Sequence, residues 1–274
     1  MSLELKSMLD YDLAEIAGLL DRGFADYLVK IEFNEAVLLH MVLHDGIDAG
    51  SSRVVLRDGE AVGVAMIARR GWSSRLAGMA IVPEARGQGV GSWFMAQLMA
   101  EAKARGERRI VLEVIEQNAA AVHLYEGCGF QVLRRLVSYA GSSDDEGKKA
   151  ELEQVDIREV ARMVTMYGLP DLPWQISGES LVHVGPPNRA YRMGRAYVVI
   201  SNPNESRIGL PAVVVKPEAR QQGQATRLLH AVMAHHPGKR WAVPALCPEE
   251  IGGLFEKVGL VKGPLAQLQM MVEL

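Results

Sequence analysis

Hydrophobic positions in the first half of the chain recur at two spacings, one typical of helices and one typical of strands. Leucine and isoleucine share one face of a predicted helix over residues 11–24, and Asp10 is placed to cap its first turn. Asp58-Gly59 separates two apolar runs, 52–56 and 61–68, and so predicts a β-hairpin. The other predicted elements are helices over 27–44, 91–104 and 119–127 and strands over 76–82, 109–115 and 130–139.

The order of these elements predicts the fold class. Helices alternate with strands, yet a tight turn joins two of the strands directly, so not every strand follows a helical crossover. We therefore expect an α/β fold in which a mixed sheet is flanked by helices.

Two blocks of sequence occur twice, in the same order and at nearly the same separation. Residues 82–89 resemble residues 216–223, which lie 134 positions further along the chain. Residues 124–130 resemble residues 254–260, which lie 130 positions further along. Such a repeat predicts two copies of one fold.

A polar stretch divides the two copies. Its sequence, from Gly141 to Lys149, contains serines and acidic residues without apolar periodicity, which is typical of an exposed connection. The predicted division is a domain over 1–140, a linker or closing strand over 141–155, and a second domain over 156–274.

Composition narrows the functional classes. Hydrophobic residues make up 49% and charged residues 23% of the 274 positions, which is the balance of a globular protein. No run of 18 apolar residues predicts a membrane helix, and the N-terminus around Glu4 does not resemble a signal peptide. The net charge of -3 gives no support to nucleic-acid binding. With only Cys128 and Cys247, the chain is predicted to be cytoplasmic.

The segment from Arg86 to Gly91 reads Arg-Gly-Gln-Gly-Val-Gly and joins a predicted strand to a predicted helix. Glycines allow close approach of the backbone to a ligand, and the free N–H groups of a helix start attract anions such as pyrophosphate. The alternative is a glycine-rich turn that only begins the helix. The spacing fits neither a Walker loop nor a Rossmann fingerprint.

A second block, Asn118 to Phe130, follows the pattern Asn-x-x-Ala-x-x-Leu-Tyr-x-x-x-Gly-Phe. Together with Arg-x-x-Gly-x-Gly, it resembles the GNAT superfamily of acyl-CoA-dependent N-acetyltransferases. The resemblance is strong over residues 75–135 and weaker over 210–260. It implies two tandem GNAT-like domains, each with a mixed, largely antiparallel sheet flanked by helices.

The resemblance also implies a reaction. An acetyl group would pass from acetyl-CoA, without a metal or a covalent enzyme intermediate, to a primary amine of a small molecule, peptide or protein. Tyr125 would protonate the departing thiolate; the alternative for Tyr125 is a core aromatic. The acetyl-CoA would be held by Ile81, Val82, Arg86, Gly87, Gln88, Gly89, Val90, Gly91 and Asn118.

The amine must lose a proton before it attacks, and Glu113 is the first candidate base. It shares a predicted strand face with Val111 and Ile115, an unusual place for a solvated carboxylate. Its Leu-Glu-Val context also resembles the ribosomal-protein N-terminal acetyltransferase branch, whose glutamate is assigned as the base. An arginine-paired carboxylate, Glu116 as the base, and a water relay remain open alternatives.

The second copy departs from the pattern at its chemical positions. Phe255 stands where the first copy has Tyr125, and Pro248 stands where it has Asn118. We therefore expect a degenerate domain without catalysis. Two other functions stay open for the chain, namely a non-catalytic acyl-CoA sensor and a structural pseudo-dimer, and it is expected to be a monomer or a homo-oligomer.

A metal site is conceivable at His40 and His44, which lie four residues apart with Asp45 and Asp48 beyond them. Without a third ligand at fixed spacing, a surface helix is favoured.

Overall fold

The computed structural model describes residues 2–30, 32–142 and 151–274. The elements of the first half are β1 (Leu3–Ser7), α1 (Leu13–Phe24), α2 (Glu35–Asp45), β2 (Arg53–Arg57), β3 (Glu60–Arg70), β4 (Ser73–Ile81), α3 (Val90–Ala104), β5 (Arg109–Ile115), α4 (Ala119–Gly127) and β6 (Gln131–Ser142). Those of the second half are β7 (Glu153–Val155), α5 (Ile157–Tyr167), α6 (Gly178–Leu181), β8 (Arg189–Met193), β9 (Ala196–Ile200), β10 (Arg207–Gly209), β11 (Ala212–Val215), α7 (Gln224–His235), β12 (Arg240–Pro248), α8 (Gly253–Glu256) and β13 (Val261–Glu273).

The chain forms two compact units. Unit 1 comprises Met1–Leu133 together with Leu268–Leu274, and unit 2 comprises Arg134–Gln267. These bounds differ from the expected division at 140 and 156 because the last strand of each copy is exchanged. In unit 1 the C-terminal end of β13, not β6, lies beside β5. In unit 2 most of β6 pairs antiparallel with β12.

The described residues include the two ends of the predicted linker. Residues 141–142 are the end of β6, and Glu153–Val155 form the short strand β7. Residues 143–150 lie outside the described part of the chain.

Unit 1 has the predicted mixed sheet. Strands β1, β2, β3 and β4 follow one another in antiparallel pairs, and β5 then pairs parallel to β4. Helices α1 and α3 contribute apolar side chains to one core with this sheet, including the fully buried Leu20 and Phe94. Burial of such residues is the main favourable contribution to folding. The α/β fold class with a largely antiparallel mixed sheet is therefore confirmed.

Strands β4 and β5 separate part-way along their length. Their register runs from Ser73 opposite Arg109 to Leu76 opposite Leu112, and it ends there in the described residues. The remainder of β4, from Ala77, pairs with β3 on its other side only. Its free edge keeps backbone groups that need another partner.

Unit 2 repeats this separation with a broken strand. Strand β10 pairs parallel to β12, whereas β11 pairs antiparallel to β9. Leu210 and Pro211 stand between β10 and β11, and the Leu210 N–H donates to the Ala242 carbonyl at 2.8 Å. Strands β11, β9, β8 and β7 form a separate four-stranded sheet. Helix α7 buries Leu228, Leu229 and Val232 in the core of this unit.

Two predicted helix starts were wrong, by two residues for α1 and by eight residues for α2. Helix α1 is capped by Asp12, whose side chain accepts from the Glu15 N–H, while Asp10 instead accepts from the Ser7 N–H. Helix α2 begins at Glu35 rather than at residue 27 because Asn34 caps it. No helix in the described ranges has the length and apolar character needed to cross a membrane.

Candidate functional site

The turn from β4 into α3, residues 82–91, presents backbone donors to an open space. Gly87 and Gly89 have φ values of 71° and 79°, a left-handed conformation that favours glycine. A Cβ placed on either would meet no atom within 4 Å, so their requirement is conformational. Gly89 is the N-cap of α3 and supplies no side-chain acceptor to its first turn. The first amides of α3 are thus suited to an anionic ligand.

The Arg86 side chain holds this turn from behind. Its Nε donates to the Ile81 carbonyl at 2.9 Å, Nη1 to Asp26 Oδ2 at 2.6 Å, and Nη2 to the Gly23 carbonyl at 2.8 Å. The hydrogen bond from Arg86 lowers the pKa of Asp26 below its usual range. Arg86 therefore joins the end of β4 to the end of α1 and shapes the site rather than reaching across it.

Gln88 also stabilises the conformation of the turn through two hydrogen bonds. Its Nε2 donates to the Glu84 carbonyl at 2.9 Å, and its Oε1 accepts from Arg57 Nη1 at 2.9 Å. The side chain is thereby fixed within the turn.

The 82–91 turn borders a cavity of about 790 Å³ in unit 1. Seven of the predicted ligand-binding or catalytic residues line it, namely Ile81, Arg86, Gly87, Gly89, Gly91, Asn118 and Tyr125. Val82 and Val90 are instead buried in the core, each 1% exposed, so only their backbone remains available to a ligand. Neither Gln88 nor Glu113 is among the lining residues.

Tyr125 is a buried phenol in the wall of this cavity. It packs against Phe130 with ring centroids 5.8 Å apart, so it belongs to the hydrophobic core and also lines the cavity. Burial raises its pKa above the ordinary value of about 10, with smaller contributions from Tyr27 and Cys128. The phenol consequently keeps its proton at neutral pH, as a proton donor must.

Tyr27 is a site residue that the sequence reasoning missed. It lies between α1 and α2, lines the same cavity and meets Phe24 edge-on at 4.9 Å. Asn118 hydrogen-bonds to Tyr27, and its Oδ1 also accepts from the Ala121 N–H at 3.2 Å as the cap of α4. Burial raises the pKa of Tyr27. Position 27 was placed in a helix, so no local pattern marked it.

Comparison with known proteins adds an independent observation. Residues 22–130 match the model of the family described as acetyltransferase (GNAT) family. Over this segment, which is less than half of the chain, the sequence is similar to the GNAT family. A streptothricin acetyltransferase from Streptomyces lavendulae is 34% identical over 90 residues, or 31% of this chain. The match spans 48% of that relative, about half its length.

Solved structures extend the similarity to the whole chain. A GCN5-related N-acetyltransferase from Sphaerobacter thermophilus has a TM-score of 0.67 at 16% identity, over 99% of this chain and 95% of that one. A tandem GNAT protein from the clavulanic acid biosynthesis pathway has a TM-score of 0.62 at 16% identity, over 99% and 98%. At these identities the likeness concerns the fold, and it confirms the tandem GNAT architecture.

In unit 1, the predicted base Glu113 forms an ion pair with Arg75. Arg75 Nε lies 2.8 Å from Glu113 Oε2, and the two side chains are 5% and 2% exposed. Asp45 Oδ2 is a second acidic neighbour, 3.6 Å from Arg75 Nη1. This is the arginine-paired arrangement, one of the alternatives that the sequence leaves open for Glu113.

The histidines of α2 do not assemble a metal site with both aspartates. His44 Nδ1 lies 3.3 Å from Asp45 Oδ1, and the His40 and His44 rings stack at 5.3 Å. Asp48 instead accepts from Ser51 and Arg69. Across the described residues, no group of three or more His, Cys, Asp or Glu is arranged to hold a metal ion.

Unit 2 reproduces three of the hydrogen bonds that hold the turn of unit 1. Arg220 Nε donates to the Val215 carbonyl at 3.1 Å, and its Nη2 donates to the Tyr167 carbonyl. Gln222 Nε2 donates to the Glu218 carbonyl at 3.0 Å. These bonds match those of Arg86 and Gln88 in unit 1, so the repeat seen in the sequence is also a repeat of hydrogen bonding.

Proposed function

We propose that unit 1 transfers an acetyl group from acetyl-CoA to a primary amine by direct attack. The observation that carries this proposal is the combination of a glycine-rich helix start and a protonated phenol in one cavity. The first can hold the pyrophosphate of the cosubstrate, and the second can protonate a leaving thiolate.

The residues present fit acetyl-CoA. The N–H groups of the 82–91 turn would bind its pyrophosphate, and the outer edge of β4 from Ala77 to Ala80 would receive the amides of its pantetheine arm. Asn118 and Tyr27 would border that arm. Bound acetyl-CoA supplies an activated thioester carbonyl.

Tyr125 would donate its phenolic proton to the thiolate as the amine forms its new bond to the carbonyl carbon. The C–S bond breaks, CoA leaves as a neutral thiol, and the phenolate is reprotonated from solvent. Because burial raises the pKa of Tyr125, the donor stays protonated throughout the neutral range. No covalent enzyme intermediate is needed.

Three routes are open for the amine proton, namely Glu113, Glu116 and solvent. Glu113 is the proposed base, but its carboxylate is ion-paired with Arg75 and lies outside the residues lining the cavity. A route through solvent, or through Glu116, avoids competition with Arg75. The ion pair with Arg75 therefore competes with proton transfer from the amine to Glu113.

The acceptor is proposed to be a primary amine of a small molecule or peptide. The streptothricin acetyltransferase is named for a small-molecule substrate, and about half of its length is matched here. The two cysteines are free thiols, which is compatible with action in a reducing cytoplasm. Unit 2 is proposed to be a degenerate, non-catalytic copy.

The test is CoA-thiol release from acetyl-CoA with a panel of primary amines. Tyr125→Phe should lower kcat on the order of 10²-fold, since general acid catalysis is typically worth that much. Acetyl-CoA affinity, measured by calorimetry, should stay within about twofold. The natural phenylalanine at the equivalent position of unit 2 indicates that the fold accepts this change.

The opposite results would overturn specific parts of the proposal. Normal turnover by Tyr125→Phe under conditions where chemistry limits the rate would exclude the general acid. Tight acetyl-CoA binding without turnover of any amine would instead support the sensor, and absence of binding would support a structural role.

A further inference from the structure

Unit 2 contains a recess at the position that corresponds to the acetyl-CoA cavity of unit 1. Its volume is about 320 Å³, within the range of small-ligand pockets. It lies among the end of α5, strand β11, helix α7, strand β12 and helix α8. Representative walls are Val213, Val243, Leu246, Ile251 and Leu254.

The recess has lost the polar features of its counterpart. Phe255 replaces the phenol of Tyr125, and Pro248 replaces the amide of Asn118. Ala225 places a methyl group where unit 1 has Gly91. Each exchange removes a hydrogen-bonding group or narrows the approach to the helix start.

Two polar side chains of the wall, those of Arg220 and Cys247, are already engaged. The Arg220 guanidinium donates to the carbonyls of Val215 and Tyr167. The Cys247 thiol contacts the Pro248 carbonyl at 3.5 Å, and burial raises its pKa to about 12. The thiol is therefore neutral and behaves as a small hydrophobic group. A charged ligand would lose its hydration here against walls that are mostly apolar.

The turn beside the recess carries backbone strain. Gln221 has a φ of 58°, in the left-handed region where unit 1 has Gly87. The hydrogen bonds of Arg220 and Gln222 keep the turn in this conformation. The turn thus retains the shape that in unit 1 borders a ligand cavity, while its walls have become apolar.

We propose that this recess is a binding site for a small, uncharged, hydrocarbon-rich molecule, distinct from the acetyl-CoA site. Apolar walls of this kind gain free energy by removing apolar ligand surface from water. Because Phe255 and Pro248 stand in place of Tyr125 and Asn118, it is a binding site without acyl-transfer chemistry.

The test uses the full chain and the neutral fluorescent probe N-phenyl-1-naphthylamine, titrated with and without acetyl-CoA. We expect saturable binding of one probe that acetyl-CoA does not displace. Val213→Trp, which fills the recess, should weaken binding at least tenfold. The matched control is Val182→Trp, because Val182 is 44% exposed and outside the lining, and it should bind as the parent does.

A second variant guards against misfolding of the first. Leu254→Asp places a charge in the wall and should also weaken binding at least tenfold, with the fold of each variant checked by circular dichroism. The proposal is overturned by any of three results. These are no saturable binding, displacement by acetyl-CoA, or unchanged affinity in a folded Val213→Trp or Leu254→Asp protein.

Discussion

The 82–91 turn of unit 1 and the 216–225 turn of unit 2 share a backbone and differ in chemistry. In each, an arginine binds the last carbonyl of the preceding strand and a carbonyl at the end of a helix. In each, a left-handed glycine begins the next helix, with φ of 79° at Gly89 and 72° at Gly223. The comparison shows that the same hydrogen bonds hold both turns, although unit 2 has Phe255 where unit 1 has Tyr125.

The interiors beside these turns differ more strongly. Unit 1 buries the Arg75–Glu113 ion pair next to the point where β4 and β5 separate. By the 134-residue offset, unit 2 has Gly209 in place of Arg75. Unit 1 therefore carries the cost of desolvating two charges that unit 2 does not.

The largest expected effect comes from blocking each turn in the same way. Gly89→Glu adds bulk, strain and negative charge where the pyrophosphate is proposed to bind, so acetyl-CoA binding should be abolished. Gly223→Glu makes the matched change in unit 2 and should leave turnover largely intact. Calorimetry and the thiol-release assay measure the two quantities.

The matched pair also shows how the comparison would fail. Unchanged affinity in a folded Gly89→Glu protein would remove the anion-binding assignment. An equally deep loss of turnover in folded Gly223→Glu would mean that unit 2 takes part in the reaction.

The next effect concerns the ion pair that only unit 1 has. Glu113→Gln leaves Arg75 buried with Asp45 as its remaining acidic neighbour, so the free energy of unfolding should fall by about 3 kcal/mol. The double variant Arg75→Met/Glu113→Gln removes both charges and should recover most of that loss. Urea denaturation of the variants gives the comparison.

Turnover of the double variant then decides the role of Glu113. If Glu113 is the base, this stable protein should remain slow, and the acidic limb of its kcat/KM profile should be flattened. Near-normal turnover with an unchanged acidic limb would assign Glu113 to structure and the proton to solvent or Glu116.

The smallest expected effect is a change in stability caused by backbone strain, which differs between the two turns. Gln221→Gly should stabilise unit 2 by about 1 kcal/mol because a non-glycine residue in the left-handed region is strained. Gly87→Gln should destabilise unit 1 by a similar amount for the same reason. A loss of stability in Gln221→Gly would show that the glutamine side chain contributes more than its backbone conformation costs.

Much of the architecture was predictable from local sequence. The strand over 109–115 and the helix over 119–127 were predicted with the bounds that the structure shows. Asp58-Gly59 does form the turn between β2 and β3, with both residues at positive φ. The repeated blocks predicted the tandem fold because an arginine, a glutamine and a glycine recur in the second turn at the same spacing as in the first.

The starts of α1 and α2 were less predictable. Several polar residues compete as caps near each start, and only the realised hydrogen bonds of Asp12 and Asn34 distinguish them. Apolar spacing alone extended α2 back to residue 27. It therefore concealed Tyr27, which the structure places in the wall of the cavity.

By itself, the sequence determined the two copies, their glycine-rich turns and the loss of the phenol from the second copy. These features depend on residues close together in the chain, whose conformational preferences are local. The tertiary structure alone decided that Arg75 pairs with Glu113, 38 positions away, and that Tyr27 meets Asn118. It also decided that residues 268–274 complete unit 1. Distant segments compete for such partners, and the packing of the whole sheet and core selects among them.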